Sequence, residues 1–229
     1  DEDPRADRSP GEFYQLDIEM SFVTQGDIFS TMEPIISKVF SEYSTFKISG
    51  GSFPIIPYSE AMLKYGSDKP DLRIPIEIAD VTDAFKGSDF KIFAKQIESG
   101  AVVRAIPAPN AASQPRSFFD KMNEWARKEE GAAGLGYIIF SDEAIGPIAK
   151  NLSEERVNDI FNKAKLKKGD AVFFSCSKEK SSAHLAGLAR LKIAEILNLV
   201  QKNTFEFCWI VDFPMYELDE KTKKIDFGH

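Results

Sequence analysis

Between residues 27 and 43 the apolar positions Ile28, Met32, Ile35, Ile36, Val39, Phe40 and Tyr43 recur at helical spacing. Thr24, with Asp27 three residues on, is a capping-box signature at the start of that helix. Pro34 is expected to bend it or to mark its true first turn. Just upstream the period changes from 3.6 to 2. Over 13–22, Phe13, Gln15, Asp17 and Glu19 fall on one face and Tyr14, Leu16, Ile18 and Met20 on the other. This predicts a strand with an apolar face on a core and an outer face carrying an aromatic, an amide and two carboxylates. Further along, Ser59 is expected to cap a short helix over 60–65, closed by Gly66.

From residue 90 the texture is of alternating elements. Strands are predicted over 90–94 and 101–106, and a helix over 118–130 that passes through Gly131 and Gly134 into a strand over 135–140. Ser153 caps a helix with Val157, Ile160, Phe161 and Ala164 inward, ended by Lys167-Lys168-Gly169. A buried strand over 171–175 and a long helix over 182–199 follow. Residues 207–216 read as a strand, 217–224 as a polar turn and 225–229 as the start of a return strand. The expected fold class is α+β: an antiparallel-sheet domain supplies both ends of the chain, and a second α+β domain is inserted between them. The half-made return strand, and a start without an initiator Met, lead to the expectation of a fragment of a longer protein.

Composition narrows the function classes. The 229 residues are 43% hydrophobic, enough for a packed core, and carry 36 acidic against 29 basic side chains. A net charge of −7 argues against a whole-chain electrostatic grip on nucleic acid, although local basic stretches can still meet phosphates. No run approaches the roughly 20 apolar residues of a membrane helix, so no membrane partner is expected. The only cysteines, Cys176 and Cys208, lie in apolar runs and are expected to be buried free thiols of a cytoplasmic protein. With His184 and His229 as the only histidines, no Cys/His zinc set can be assembled. The glycine-rich 131–136 stretch precedes a strand, whereas a dinucleotide fingerprint follows one, so it reads as a connection. Ser182 and His184 have no orienting acid at a motif spacing, and His184 is expected at the surface or its boundary.

The opening segment is the candidate for chemistry, although its residues alone read more simply as a solvated acidic-basic hairpin with one exposed Phe. Its arginines, Arg5 and Arg8, offer permanent planar cations to phosphate, Phe13 offers a ring to a nucleobase, and Asp17 can hold an ammonium group. The sequence DEDPRADRSPGEFYQLD of residues 1–17 closely resembles motif 2 of bacterial-type aspartyl-tRNA synthetases, which are class II enzymes. YGSDKPDLR at 65–73 and WIVDFPMY at 209–216 resemble two further hallmarks of that family, in family order. Residues from 90 to about 199 resemble the insertion domain that bacterial aspartyl enzymes share with subunits of tRNA-dependent amidotransferases.

The resemblance implies a catalytic domain over 1–75, a bacterial insertion domain over 76–203 and a returning catalytic segment over 204–229. It implies an aspartate–tRNA ligase, with ATP as substrate, Mg²⁺ as helper, L-aspartate and tRNA-Asp as partners and a homodimer in the full-length protein. Whether tRNA-Asn is also charged stays open. By position, Asp1, Glu2, Arg8, Ser9 and Phe13 match ATP-binding positions, with Phe13 as the adenine platform, and Gln15, Asp17 and His229 match positions beside the amino acid. Ser9 stands where many relatives carry Gln, and Gly11 is one residue extra. No catalytic residue and no Mg²⁺ ligand is expected within the chain. The competing readings are a non-catalytic tRNA-facing or scaffold module and an amidotransferase subunit. Resemblance to the latter would be confined to the insertion, which the 13–17 and 65–73 segments argue against.

Overall fold

A computed structural model describes residues 14–129, 132–218 and 222–227. The chain divides into two compact units, Asp1–Thr45 and Phe46–His229. Among the candidate site residues, Asp1, Glu2, Arg8, Ser9, Phe13 and His229 lie outside the described residues.

In the first unit the helix is present as the periodicity requires, as α1 (Gln25–Tyr43). Thr24 N–H donates to the Asp27 carboxylate at 2.7 Å, and Asp27 N–H donates to Thr24 Oγ1 at 3.4 Å, completing the capping box. These bonds, from the Thr24 backbone first, hold the Asp27 carboxyl below its ordinary pKa. Pro34 lies in the helix interior, so it does not mark the first turn. The strand expected over 13–22 is not formed: residues 14–20 adopt no regular structure, and Tyr14 and Leu16 are fully or largely exposed. An alternating segment becomes a strand only through ladder partners. None of the ladders among the described residues includes it.

The second unit is built on a sheet. In chain order its elements are β1 (Lys47–Ile48), β2 (Ile55–Pro57), α2 (Tyr58–Tyr65), β3 (Ala79–Asp80), α3 (Thr82–Phe85), α4 (Lys91–Glu98), β4 (Val102–Ala108) and α5 (Arg116–Glu129). They continue with β5 (Gly136–Phe140), β6 (Ala144–Ile145), α6 (Glu154–Lys163), β7 (Ala171–Ser177), α7 (Glu179–Ile196), β8 (Thr204–Phe205), β9 (Trp209–Val211), β10 (Tyr216–Leu218) and β11 (Ile225–Phe227). Five strands in the order β3-β4-β7-β5-β6 form an antiparallel sheet.

Side-chain alternation divides this sheet into two cores. Ile106, Ala108, Ala171 and Phe173 face α5 and α7, whereas Val103, Ala105, Val172 and Phe174 face α3, α4 and α6. Cover on both faces explains why β4, apart from Arg104, and residues 171–174 of β7 are apolar at successive positions although the sheet is antiparallel.

Four expectations change. Residues 90–94 are not a strand; α4 occupies 91–98. Phe90, Phe93, Ala94 and Ile97 fall at i, i+3, i+4 and i+7, a helical stripe whose members pack into the second core. Ser59 is not a cap, because α2 begins one residue earlier, after Pro57. The 207–216 segment holds only the short β9, followed by β10 after a break at Asp212, whose φ is +57°. Finally, the pairing of the 47–57 and 204–211 stretches is parallel, β1 with β8 and β2 with β9, rather than part of one antiparallel sheet. The expected hairpin is present as the antiparallel pair β10–β11.

Cys176 and Cys208 are free and half-buried. Burial pushes the Cys176 thiol up to about 11. This group's contribution to stability is whole below the unfolded thiol pKa of about 8.5 and is lost as pH rises toward the folded value. In a Cys208→Ser background, the alkylation rate of native Cys176 by iodoacetamide should keep rising through pH 10, whereas in urea it should level off near pH 9. A native plateau near pH 9 would contradict the burial assignment.

Candidate functional site

Residues 65–73 owe their place to α2 and α7. Helix α2 ends at Gly66, which adopts the left-handed conformation at φ +67° and donates its N–H to Met62 O at 3.2 Å. A Cβ on Gly66 would lie 2.3 Å from Ala183 O and 2.6 Å from Gly187 Cα, so the two backbones meet through paired glycines. Beyond it, Lys69 N–H donates to Ser67 Oγ at 3.0 Å. Arg73 sets the side-on edge of its guanidinium on Asp71, Nε to Oδ1 at 2.9 Å and Nη2 to Oδ2 at 2.7 Å. This fork is the leading cause that holds the Asp71 carboxyl below the ordinary carboxylate range.

The segment after Asp71 is anchored by a buried cation that the sequence did not single out. Arg190 of α7, 1% exposed, donates Nε–H to Ile76 O at 2.7 Å and Nη2–H to Asp71 O at 2.8 Å and Ile74 O at 3.0 Å. Its guanidinium also lies 5.0 Å from the Tyr65 ring centre. The available signal was an arginine between Ala189 and Ile193 on the apolar stripe of a long helix, where a solvated charge does not belong.

The 209–216 segment is fixed through aromatic contacts. Phe53 stacks on Phe207 at 4.9 Å and meets Trp209 at 6.2 Å, and Tyr58 meets Phe213 at 5.1 Å. Between α2, the start of α7 and the 214–218 stretch opens a cleft of about 480 Å³, with Tyr58, Met62, Arg104, Glu179, Pro214 and Leu218 among its walls.

Of the residues predicted to bind ATP or aspartate, Gln15 and Asp17 are described. Their side chains turn to the same side, and Gln15 Nε2 donates to Asp17 Oδ2 at 2.8 Å. Both are exposed. The period-2 reasoning placed them on one face, and this bond joins them. His184 is exposed, as expected. Among the described residues no group of three or more His, Cys, Asp or Glu side chains could hold a metal ion.

Residues 1–226 match the family of class II tRNA synthetases (D, K and N). The chain belongs to this family. Among its relatives, the aspartate–tRNA(Asp/Asn) ligase of Rickettsia bellii (strain OSU 85-389) is 61% identical over 231 residues, covering all of this chain and 38% of that protein. The ligase of the same name from Gluconobacter oxydans (strain 621H) is 59% identical over 232 residues, covering all of this chain and 39% of the relative. That of Beijerinckia indica is 61% identical over 236 residues, again covering the whole chain and 39% of the relative. The chain thus spans well under half the length of these curated relatives. The family match starts at residue 1, so the charged opening segment and the 65–73 and 209–216 hallmarks all fall within the class II region.

Proposed function

We propose that the chain is part of an aspartate–tRNA ligase that activates L-aspartate with ATP and transfers it from the adenylate to the 3′ end of tRNA. The observation that carries this reading is identity of 59–61% along the whole chain to proteins bearing that name. Because those names specify tRNA(Asp/Asn), the acceptor reading extends to tRNA-Asn beside tRNA-Asp. The domain reading is a catalytic part over 1–75, an insertion over 76–203 and a catalytic return over 204–229, in a cytoplasmic homodimer.

In this reading Asp1, Glu2, Arg8, Ser9 and Phe13 face ATP, with Arg8 toward the outer phosphates and Phe13 under adenine. Gln15, Asp17 and His229 face aspartate. The Gln15–Asp17 bond supports the last assignment: the carboxylate fixes the amide and keeps acceptor positions to meet the substrate's ammonium group. Attack of the aspartate α-carboxylate on the α-phosphorus, with pyrophosphate leaving, needs no protein nucleophile. Positioning and charge neutralisation suffice, which suits a segment rich in Arg, Asp and Glu. Mg²⁺ would supply further neutralisation of the phosphates.

The test is aspartate-dependent exchange of pyrophosphate into ATP by the full-length protein. Phe13→Ala should raise the KM for ATP through a lost stacking contribution of about 1–3 kcal/mol, leaving the KM for aspartate nearly unchanged. Exchange with unaltered ATP kinetics would remove the adenine platform. No exchange at all would favour the non-catalytic tRNA-facing module.

A further inference from the structure

Arg104 sits in the middle of β4, 4% exposed, and forms one wall of the cleft between α2 and the start of α7. Its two outer nitrogens are treated unequally. Nη1 is paired with Asp80, whose other carboxylate oxygen accepts from Thr82 N–H at 2.8 Å, so Asp80 is held in place. Nη2 meets a single oxygen of Glu179 at 3.3 Å, the long end of the range for a charge-assisted bond. Nε is buried and has no acceptor among the described residues.

Nε and Nη2 together form the side-on edge of the guanidinium, the edge Arg73 uses in full on Asp71 with bonds of 2.9 and 2.7 Å. In Arg104 that edge is half used. A buried N–H on a charged group without an acceptor is costly and calls for an oxygen that none of the described residues provides. The Glu179 side chain is 78% exposed at the first residue of α7, so it can swing away and open the edge to an incoming group. Besides Arg104, Glu179, Ser59 and Lys180, the cleft is lined by Tyr58, Met62, Leu63, Ala183, Pro214 and Leu218, which are mostly apolar.

From this juxtaposition we infer that the cleft binds an organic carboxylate with an apolar body. Its two oxygens take the Nε and Nη2 donors of Arg104 in place of Glu179, and its apolar part lies against Tyr58, Met62 and Leu218. A planar two-oxygen anion fits the fork, a neutral amide offers only one acceptor to two donors, and the cleft volume of about 480 Å³ accommodates a small molecule. Glu179 acts as an internal competitor, which gives the inference a sign that ordinary surface binding lacks. None of the walls belongs to the residues assigned to ATP or aspartate, so the inference does not rest on that reading.

The probe is 4-phenylbutyrate, with 4-phenylbutyramide as neutral control, titrated calorimetrically into the full-length protein. The acid should bind and the amide should not. Glu179→Ala, at an exposed position, should tighten the acid by roughly three- to tenfold by removing the competing carboxylate. Arg104→Lys, which keeps the charge opposite Asp80 but loses the fork, should weaken it at least about tenfold. Any of three results would overturn the inference: equal binding by wild type and Arg104→Lys, no tightening in Glu179→Ala, or no binding of the acid to any variant. Because Glu179→Ala leaves the core untouched, the test stands even if Arg104→Lys fails to fold.

Discussion

Replacing Arg190 by Met is expected to destabilise the chain by about 3–5 kcal/mol, a large effect for one side chain. Met keeps most of the aliphatic stem, so the loss comes from the guanidinium. That group answers three carbonyls, of Asp71, Ile74 and Ile76, in a stretch with little regular structure between α2 and β3. Backbone bonds there are sparse: Ile74 N–H reaches Asp71 O at 3.3 Å, Ile78 N–H reaches Lys64 O at 2.8 Å and Gln201 N–H reaches Arg73 O at 3.1 Å. Without Arg190 the buried carbonyls of Ile74 and Ile76 lose their bonds to its side chain, and each buried orphan costs about 1–3 kcal/mol. Burial itself works against the Arg190 charge, and the Tyr65, Asp71 and Glu77 groups oppose that penalty. Arg190→Lys should recover only part of the loss, since one ammonium on a flexible stem cannot reproduce the fork. Urea unfolding of the three chains measures this. If Arg190→Met came within about 1 kcal/mol of wild type, the carbonyls would have other partners and the anchoring role would fail.

The contrast between Arg190 and α4 shows what a sequence makes legible. Local signals survived the move to three dimensions: the Thr24–Asp27 capping box, the Ser153 cap of α6 and the closing Gly66 are where short-range geometry puts them. The error at 90–94 was one of period, since a short apolar run reads as either element until Ile97 is counted with Phe90 and Phe93. The partners of Arg190 were illegible for a different reason. They are backbone carbonyls more than a hundred residues away, and a carbonyl has no side-chain identity to pair with an arginine. The same holds for the parallel pairings β1–β8 and β2–β9, which join segments separated by the whole five-stranded sheet. Within the candidate site, Gln15 and Asp17 are joined by a hydrogen bond, although the strand whose face they were expected to share is not formed. The roles of Phe13 and His229 came from resemblance, because no local rule ties an aromatic at one end of a chain to a histidine at the other.

Gly66→Ala is expected to cost about 3 kcal/mol or more, and the chain carries its own control for the cause. Two penalties combine at Gly66. Its φ of +67° is a left-handed conformation that costs an L-residue about 1–2 kcal/mol. Its new Cβ would also stand 2.3 Å from Ala183 O and 2.6 Å from the Gly187 backbone, where no flexible side chain can yield. Either α2 or α7 must move, at the overpacking cost of about 1–3 kcal/mol. Gly87 has almost the same backbone, φ +63°, but open space around its missing Cβ, so Gly87→Ala should lose only the conformational part. Gly187 is the converse case: its φ is not left-handed, but a Cβ would meet Gly66 O at 2.8 Å and Tyr65 O at 3.0 Å, so only the steric part applies. The urea midpoints should therefore place Gly66→Ala lowest, near the sum of the losses at Gly187 and Gly87. Because α7 also carries Arg190, any displacement that relieves the clash pulls the guanidinium from the Ile74 and Ile76 carbonyls, which makes a loss beyond that sum the direction of any departure. Equal midpoints for Gly66→Ala and Gly87→Ala would show that α2 and α7 do not press together at this point, and the close approach that seats the 65–73 segment would have to be abandoned.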